Sequence, residues 1–198
     1  GAVDDEALTR AVGRALGDVL RATGVDLDLA PCADANSDPR NPVIGVRSFG
    51  ADPALVARHV AALTSGLQEA GVAACAKHFP GHGAVTVDSH LALPAVAEVG
   101  ERELAPFRAA VAAGVAAVMP GHLRVPALDD APASVSRLVL VDLLRGSLGF
   151  DGVVVTDALD MGGIGGPAGI PDAVVRALAA GADLCCLGPD NDDALLTA

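Results

Sequence analysis

The sequence predicts an α/β fold that resembles a TIM (β/α)₈ barrel, with about five βα units present. Apolar, strand-like segments begin near residues 25, 72, 115, 152 and 182 and alternate with helix-like segments. This alternation is typical of parallel strands joined by right-handed crossovers. Polar loops follow the strands, whereas the returns from helix to strand are short and marked by glycine, as in a barrel that builds its site from the loops after its strands.

Five units do not close an eight-stranded barrel. We therefore expect residues 1–198 to form a single partial domain whose N-terminal strands are missing from this sequence. An open five-stranded parallel sheet is the structural alternative. In either arrangement exposed strand edges would allow the chain to associate with itself.

The first half of the sequence predicts two helices. Leu8, Val12 and Leu16 recur at a helical period and predict a helix over 5–22, with Gly24 after its end. Asp52 as N-cap and Pro53 in the first turn predict a second helix that ends near residue 70. Strands are expected over 25–30 and 71–76, and a loop over 31–50 that is too long for a simple connector.

The second half predicts three more βα units. The expected helices span 101–113, 136–147 and 171–180, and the expected strands span 115–119, 152–156 and 182–187. The strand at 152–156 is the clearest because it is almost entirely valine.

Composition narrows the classes of partner. The net charge of −12, from 13 basic and 25 acidic residues, argues against nucleic acid or an anionic membrane as partner. No apolar stretch reaches the roughly 18 to 20 residues of a membrane span, and no signal peptide stands at Gly1, so the sequence leaves the compartment unknown. The four cysteines lie in or beside apolar segments and are expected to be buried free thiols.

The segment from Lys77 to His90 concentrates polar chemistry after a buried strand. It contains three histidines, a lysine and an aspartate within fourteen residues. Such groups are costly inside a core, so we expect them where the strand ends and a loop opens to solvent. Lys77 and His78 could both reach a ligand only if the backbone turns there, and they would suit sugar hydroxyl groups.

Within this segment Asp88-Ser89-His90 predicts an acid/base pair. In an extended loop residues i and i+2 project to the same side, so the Asp88 carboxylate could fix the His90 tautomer and leave the other ring nitrogen free for a proton. Asp-x-His is a weak signal by itself. Its position after Lys77 and His78 strengthens it.

Asp157 directly follows a strand and is expected at its carboxyl end. A carboxylate there could be a nucleophile, a base or a metal ligand. It could also be an N-cap for the next turn, a role that Asp160 could fill instead.

Other readings of the polar residues carry less weight. A metal site from His78, His82, Asp88 and His90 is disfavoured, because Pro80, Gly81 and Gly83 make the segment a poor helix. His59 lies in a predicted helix and is expected on the surface. The glycine-rich run 162–167 lacks the spacing of a dinucleotide-binding loop, and we expect neither a metal nor another cofactor.

Three long motifs together resemble glycoside hydrolase family 3, specifically its β-N-acetylglucosaminidase branch. They are KHFPGHG at 77–83 followed by Asp88-Ser89-His90, NPVIGVRSFG at 41–50, and VTDALDM at 155–161. The sequence Met119-Pro120-Gly121-His122 supports the same resemblance. In order and spacing these motifs cover nearly the whole chain.

The resemblance implies a TIM-barrel-like domain that hydrolyses terminal β-linked N-acetylglucosamine with retention, on a cell-wall muropeptide or a chitooligosaccharide. It implies that Asp157 is the nucleophile and that His90 with Asp88 replaces the usual carboxylic acid. It further implies that Arg47, Lys77 and His78 hold the sugar. A retaining mechanism needs a carboxylate at the anomeric carbon and a separate proton donor, and these residues supply both.

Two alternatives stay open at this point. A β-N-acetylglucosaminide phosphorylase would use the same residues, with phosphate in place of water. An inactive sugar-binding or structural fragment is also possible, because family members carry an acidic sugar-binding motif of the Asp-Gln-Glu-Gly-Gly type that this sequence lacks.

Overall fold

A parallel β-sheet with helices on one face forms the fold. The computed structural model describes residues 1–166 and 169–189. Alternate residues of the strands point to opposite faces of the sheet. Ala74, Val118 and Val154 belong to the core cluster that includes the helices, while Cys75, Met119 and their neighbours form a second cluster on the other face.

Four α-helices are described, and their ends follow the predicted signals closely. Asp52 Oδ1 accepts a hydrogen bond from Ala54 N, so the predicted N-cap of the second helix is confirmed. The first helix has an N-cap that was not predicted, because Asp5 Oδ1 accepts a hydrogen bond from Leu8 N. Gly181, at φ 111°, ends the last helix. The helices are α1 (Glu6–Ala22), α2 (Pro53–Glu69), α3 (Glu101–Ala112) and α4 (Ile170–Ala180).

The predicted parallel strands are confirmed in order but most are shorter than expected. The strands of the main sheet are β1 (Leu27–Asp28), β2 (Ala73–Phe79), β3 (Ala117–Pro120) and β6 (Val153–Val154). In the described residues they pair in the order β1-β2-β3-β6, all parallel, with β1 at one edge. A bridge between Val155 and Leu184 is all that forms of the strand expected over 182–187.

The loop expected over 120–133 contains a small antiparallel hairpin, β4 (Arg124–Val125) and β5 (Asp129–Pro132). The segment expected as an α-helix over 136–147 is a π-helix, Leu138–Ser147. Neither the hairpin nor the π-helix has a clear signal in the hydrophobic pattern.

Helix α1 packs on α2 through glycines rather than through its apolar stripe. Gly13 and Gly17 are the buried residues of α1, and a Cβ at Gly17 would lie 2.5 Å from the Cβ of Ala70. Leu8, Val12 and Leu16 are about half exposed. The spacing of the apolar residues therefore predicted the helix correctly. The face of α1 that contacts α2 is instead the one with the glycines, where the two helix backbones approach closely.

The expectation that His59 lies on the surface is wrong. Only 1% of His59 is exposed. Its Nδ1 lies 2.8 Å from Thr9 Oγ1, and its Nε2 lies 3.2 Å from Asp4 Oδ1. Phe49 stacks on the ring. His59 thus links α2 to the start of α1.

The cysteines are free thiols, as expected; Cys75 is buried and the other three are partly buried. No helix within the described ranges is both long and apolar enough to cross a membrane.

Candidate active site

A cavity of about 170 Å³ lies beyond the carboxyl ends of the parallel strands. Every side chain that lines it belongs to the end of β2 or to a segment that follows a strand. This is where ligands bind in parallel α/β sheets. The lining residues are Val43, Arg47, Lys77, His78, His82, Ser89, His90 and Asp157.

Lys77 and His78 both line the cavity although they are adjacent in β2. In a regular strand their side chains would point to opposite faces. The pairing of β2 with β3 shifts register between Lys77 and Phe79, and such an irregularity re-aims side chains. The expected turn of the backbone at the strand end is therefore present inside the last residues of the strand.

Asp34 lies behind His78 and is completely buried. Its carboxylate accepts hydrogen bonds from His78 N at 3.1 Å and His82 N at 2.6 Å, and it lies 2.8 Å from His78 Nδ1. Burial alone would raise the pKa of Asp34, but the charge and hydrogen bond of His78 outweigh burial and hold that pKa below its ordinary value. Asp34 is therefore an ionised carboxylate in the core.

Asn41 shapes the loop that carries Arg47. Asn41 Oδ1 accepts hydrogen bonds from Val43 N and Ile44 N, each at 2.9 Å, and Asn41 Nδ2 donates to His82 O at 2.8 Å. The Arg47 guanidinium donates to Val43 O. No carboxylate in the described residues lies within ion-pair distance of Arg47, so its charge is available to the cavity.

Asp88 and His90 form a pair at the open side of the cavity. The Nδ1 atom of His90 lies 2.7 Å from Asp88 Oδ1, and 62% of the His90 side chain is exposed. The hydrogen bond from His90 N, with that from its side chain, lowers the pKa of Asp88. Asp88 itself does not line the cavity but stands behind His90.

Asp157 follows β6 by three residues, and its Oδ1 accepts a hydrogen bond from Ala158 N at 2.8 Å. The next helical turn begins at Gly162 with Met161 as its N-cap residue, so neither Asp157 nor Asp160 caps it. The N-cap alternative for Asp157 is therefore wrong.

His122 supports the segment that carries Asp157. It is fully buried, with Nε2 2.9 Å from Ala158 O and Nδ1 2.7 Å from Ser134 Oγ. Burial lowers the pKa of His122, so its ring is neutral. A neutral ring that donates to Ala158 O must accept from Ser134, and this chain of hydrogen bonds fixes the backbone next to Asp157.

The glycines at 162 and 163 join the His90 loop to the Asp157 segment. Gly162 N donates to His90 O at 3.1 Å, and Gly163 N donates to Ser89 O at 3.0 Å. A Cβ at Gly162 would lie 2.7 Å from His90 O. The run that gave only a weak nucleotide-binding signal is thus a contact surface within the site, although Pro167 at its end lies outside the described residues.

Residues 1–196 match the glycosyl hydrolase family 3 N terminal domain. The chain belongs to this family. A beta-hexosaminidase of Chromobacterium violaceum is 43% identical over 197 residues, covering 96% of this chain and 55% of that protein. This family 3 chain spans about half the length of the curated relatives it matches.

Solved family 3 structures share the fold. A β-N-acetylglucosaminidase from Paenibacillus sp. is 49% identical with a TM-score of 0.89, covering 92% of this chain and 36% of that one. NagZ from Neisseria gonorrhoeae, solved with N-trifluoroacetyl-D-glucosamine, is 41% identical with a TM-score of 0.82, covering 92% and 53% of the two chains. The parallel sheet of this family 3 chain is therefore similar to part of larger TIM-barrel-like domains.

Five of the six predicted site residues line one cavity, and the sixth, Asp88, contacts a lining residue. The sequence interpretation missed Asp34 and the support from His122. The disfavoured metal set does not form: no group of three or more His, Cys, Asp or Glu side chains in the described part of the chain is arranged to hold an ion.

Proposed function

We propose that this family 3 chain carries the active site of a retaining β-N-acetylglucosaminidase and is part of one catalytic domain. The observation that supports this most directly is the composition of the cavity. Among the described residues that line it, Asp157 is the one carboxylate, and His90 is the exposed imidazole, paired with the Asp88 carboxylate behind it. These are the two chemical parts that retention needs, a nucleophile and a proton donor.

In the first step Asp157 attacks the anomeric carbon while protonated His90 gives its proton to the glycosidic oxygen. The bond to the leaving group breaks, and a glycosyl ester forms on Asp157. The Asp88 carboxylate stabilises the imidazolium before transfer and holds Nδ1, so the proton moves at Nε2.

In the second step neutral His90 accepts a proton from water at Nε2, and the resulting nucleophile attacks the same anomeric carbon. The sugar leaves Asp157 as the free reducing sugar, and His90 is again protonated. An imidazole serves both halves because it can give up and take back a proton at Nε2 without changing its place in the site.

Arg47, Lys77 and His78 would hold the sugar hydroxyl groups. Their donors converge on the cavity from the loop after β1 and from the end of β2. The small size of the cavity fits a single sugar ring better than a chain. The substrate class is a β-linked N-acetylglucosaminide at the end of a muropeptide or a chitooligosaccharide.

A phosphorylase is the second candidate. Asp157 is the one carboxylate among the lining residues that the structure describes, whereas Arg47 and Lys77 bring two positive charges. A carboxylic acid/base would repel an incoming phosphate, but His90 does not. Phosphate could therefore replace water in the second step.

Release of N-acetylglucosamine from a chromogenic β-N-acetylglucosaminide tests this proposal. The chain, Asp157→Asn and Asp151→Asn are compared with and without inorganic phosphate. Asp151 is an exposed residue before β6 and serves as the matched control. Turnover by the chain and by Asp151→Asn, lost in Asp157→Asn, is expected; sugar 1-phosphate would indicate the phosphorylase, and equal turnover in all three would refute the proposal.

A further inference from the structure

A second Asp–His pair, Asp34–His78, borders the cavity through His78 and differs from Asp88–His90 in burial. Asp34 is 0% exposed and the His78 side chain 6%, against 32% and 62% for Asp88 and His90. The exposed pair, Asp88–His90, can exchange a proton with a substrate or with solvent. The Asp34 carboxylate is closed off from solvent, so this difference in burial indicates that Asp34–His78 has a role other than proton transfer.

We infer that Asp34 is a positioning residue that fixes His78 with Nδ1–H directed inward and Nε2 directed to the ligand cavity. The inference deepens the proposed function and, for the identity of the ligand, rests on it. His78 would then present one defined atom to a sugar hydroxyl group. A free imidazole would alternate between two tautomers.

The hydrogen bonds of Asp34 determine this tautomer. An ionised carboxylate can only accept, so Nδ1 of His78, 2.8 Å away, must carry the hydrogen. The other ring nitrogen, Nε2, has no hydrogen-bond partner in the described part of the protein, and His78 lines the cavity. Nε2 is therefore the atom left for a ligand.

The same carboxylate also fixes the backbone around His78. It accepts from His78 N, from His82 N at the start of the following loop and, at 3.4 Å, from Cys32 Sγ after β1. Asp34 thus ties together the segments that follow two adjacent strands. The orientation of the ring therefore depends on this side chain.

His82 does not compete for Asp34 through its ring. The ring packs edge-on against His78 at 5.7 Å, and neither of its buried nitrogens has a partner among the described residues. Burial lowers the pKa of His82, so the ring is neutral. Within the described ranges, His78 is therefore the one imidazole that contacts the Asp34 carboxylate.

The direct test is the tautomer of His78 in the unmodified chain. Long-range ¹H–¹⁵N correlation of histidine-labelled protein near neutral pH distinguishes Nδ1–H from Nε2–H, and loss of one signal set in His78→Gln assigns it. We expect a hydrogen on Nδ1 in the wild type and mixed tautomers in Asp34→Asn. A bare Nδ1 in the wild type, or an unchanged single tautomer in folded Asp34→Asn, would overturn the inference.

Steady-state kinetics of Asp34→Asn distinguish a role in positioning His78 from a role in the stability of the fold alone. Asp38→Asn is the matched control, because Asp38 lies in the same loop but pairs with Arg40 outside the cavity. We expect kcat/KM to fall about 10- to 100-fold in Asp34→Asn, chiefly through KM. The loss should be equal for activated and poor leaving groups, because His78 contacts the sugar and not the leaving group.

Unchanged KM in folded Asp34→Asn would contradict the inference. If the wild-type chain hydrolysed no β-N-acetylglucosaminide, the proposed function would fail, and the tautomer measurement would still decide the role of Asp34. If Asp34→Asn did not fold, the wild-type spectrum alone would decide it.

Discussion

One oxygen of Asp88, Oδ1, holds His90 at two points. It lies 2.9 Å from the backbone N of His90 and 2.7 Å from its Nδ1. The hydrogen bond from the backbone N–H is the largest cause of the lowered pKa of Asp88, so the carboxylate is ionised at neutral pH. The ring is thus oriented by a fixed anion while most of its surface faces solvent.

Asp88→Asn should lower kcat/KM for a substrate with a poor leaving group by about 10- to 100-fold. Asparagine keeps the shape of the side chain but removes the charge that fixes Nδ1–H and stabilises the imidazolium. For an activated leaving group, which needs no proton in the first step, the loss should be much smaller. Steady-state rates on two aryl β-N-acetylglucosaminides measure this difference.

Asp130→Asn is the control for this substitution, because Asp130 is exposed in the β4–β5 hairpin and away from the cavity. An equal loss for both leaving groups in Asp88→Asn would show that the pair does not act in proton transfer.

Gly162→Ala should reduce activity although Gly162 contacts no ligand. The added Cβ would press on His90 O and Leu91 O and push the His90 loop away from Asp157. We expect a cost of about 1–3 kcal/mol in stability, with a lower kcat in the protein that remains folded. Thermal unfolding and active-site titration measure the two effects.

Gly146→Ala provides the comparison, since a Cβ there would meet Val141 O at an ordinary 3.4 Å. If Gly162→Ala lost stability but kept the kcat of the wild type, the glycine contact would not position His90.

His122 should make the stability of the protein depend on pH. Burial lowers its folded-state pKa, so below the unfolded-state value of about 6.5 the unfolded chain binds a proton that the folded chain does not. Stability contributed by His122 is therefore complete above that pH and falls as pH drops toward the folded-state pKa. His122→Gln should remove up to about 1.4 kcal/mol per pH unit from the slope.

Urea unfolding at about pH 7.5 and about pH 5.5 measures the slope for both proteins. His122→Gln will be less stable overall, because it breaks the bonds to Ser134 and Ala158, but its slope should be shallower. Identical slopes would contradict a neutral, buried His122.

Local signals predicted most of the fold. Asp52 and Gly181 mark helix ends by capping chemistry that needs only a few neighbouring residues, and both are confirmed. Strand lengths depend on pairing between distant segments, which explains why the strand expected over 182–187 is reduced to one bridge at Leu184.

The residues of the candidate site also differ in whether local sequence signals predict them. Lys77, His90 and Asp157 stand out because polar residues follow apolar strands, and the structure brings them together. Asp34 did not stand out because its importance comes from His78 and His82, more than forty residues later in the chain. Self-association through the strand edges, with β1 at one edge, stays a prediction.

The central claim, that Asp157 carries the sugar, is tested most directly by trapping the intermediate. His90→Ala should slow both steps, and an activated aryl β-N-acetylglucosaminide should rescue only the first, so that the glycosyl-enzyme accumulates. Peptide mass spectrometry after a rapid quench should then find one N-acetylglucosaminyl group on the peptide that contains Asp157, and none in the Asp157→Asn, His90→Ala double variant. Turnover without that modification, or with the sugar on another residue, would contradict the assignment of Asp157 as the nucleophile.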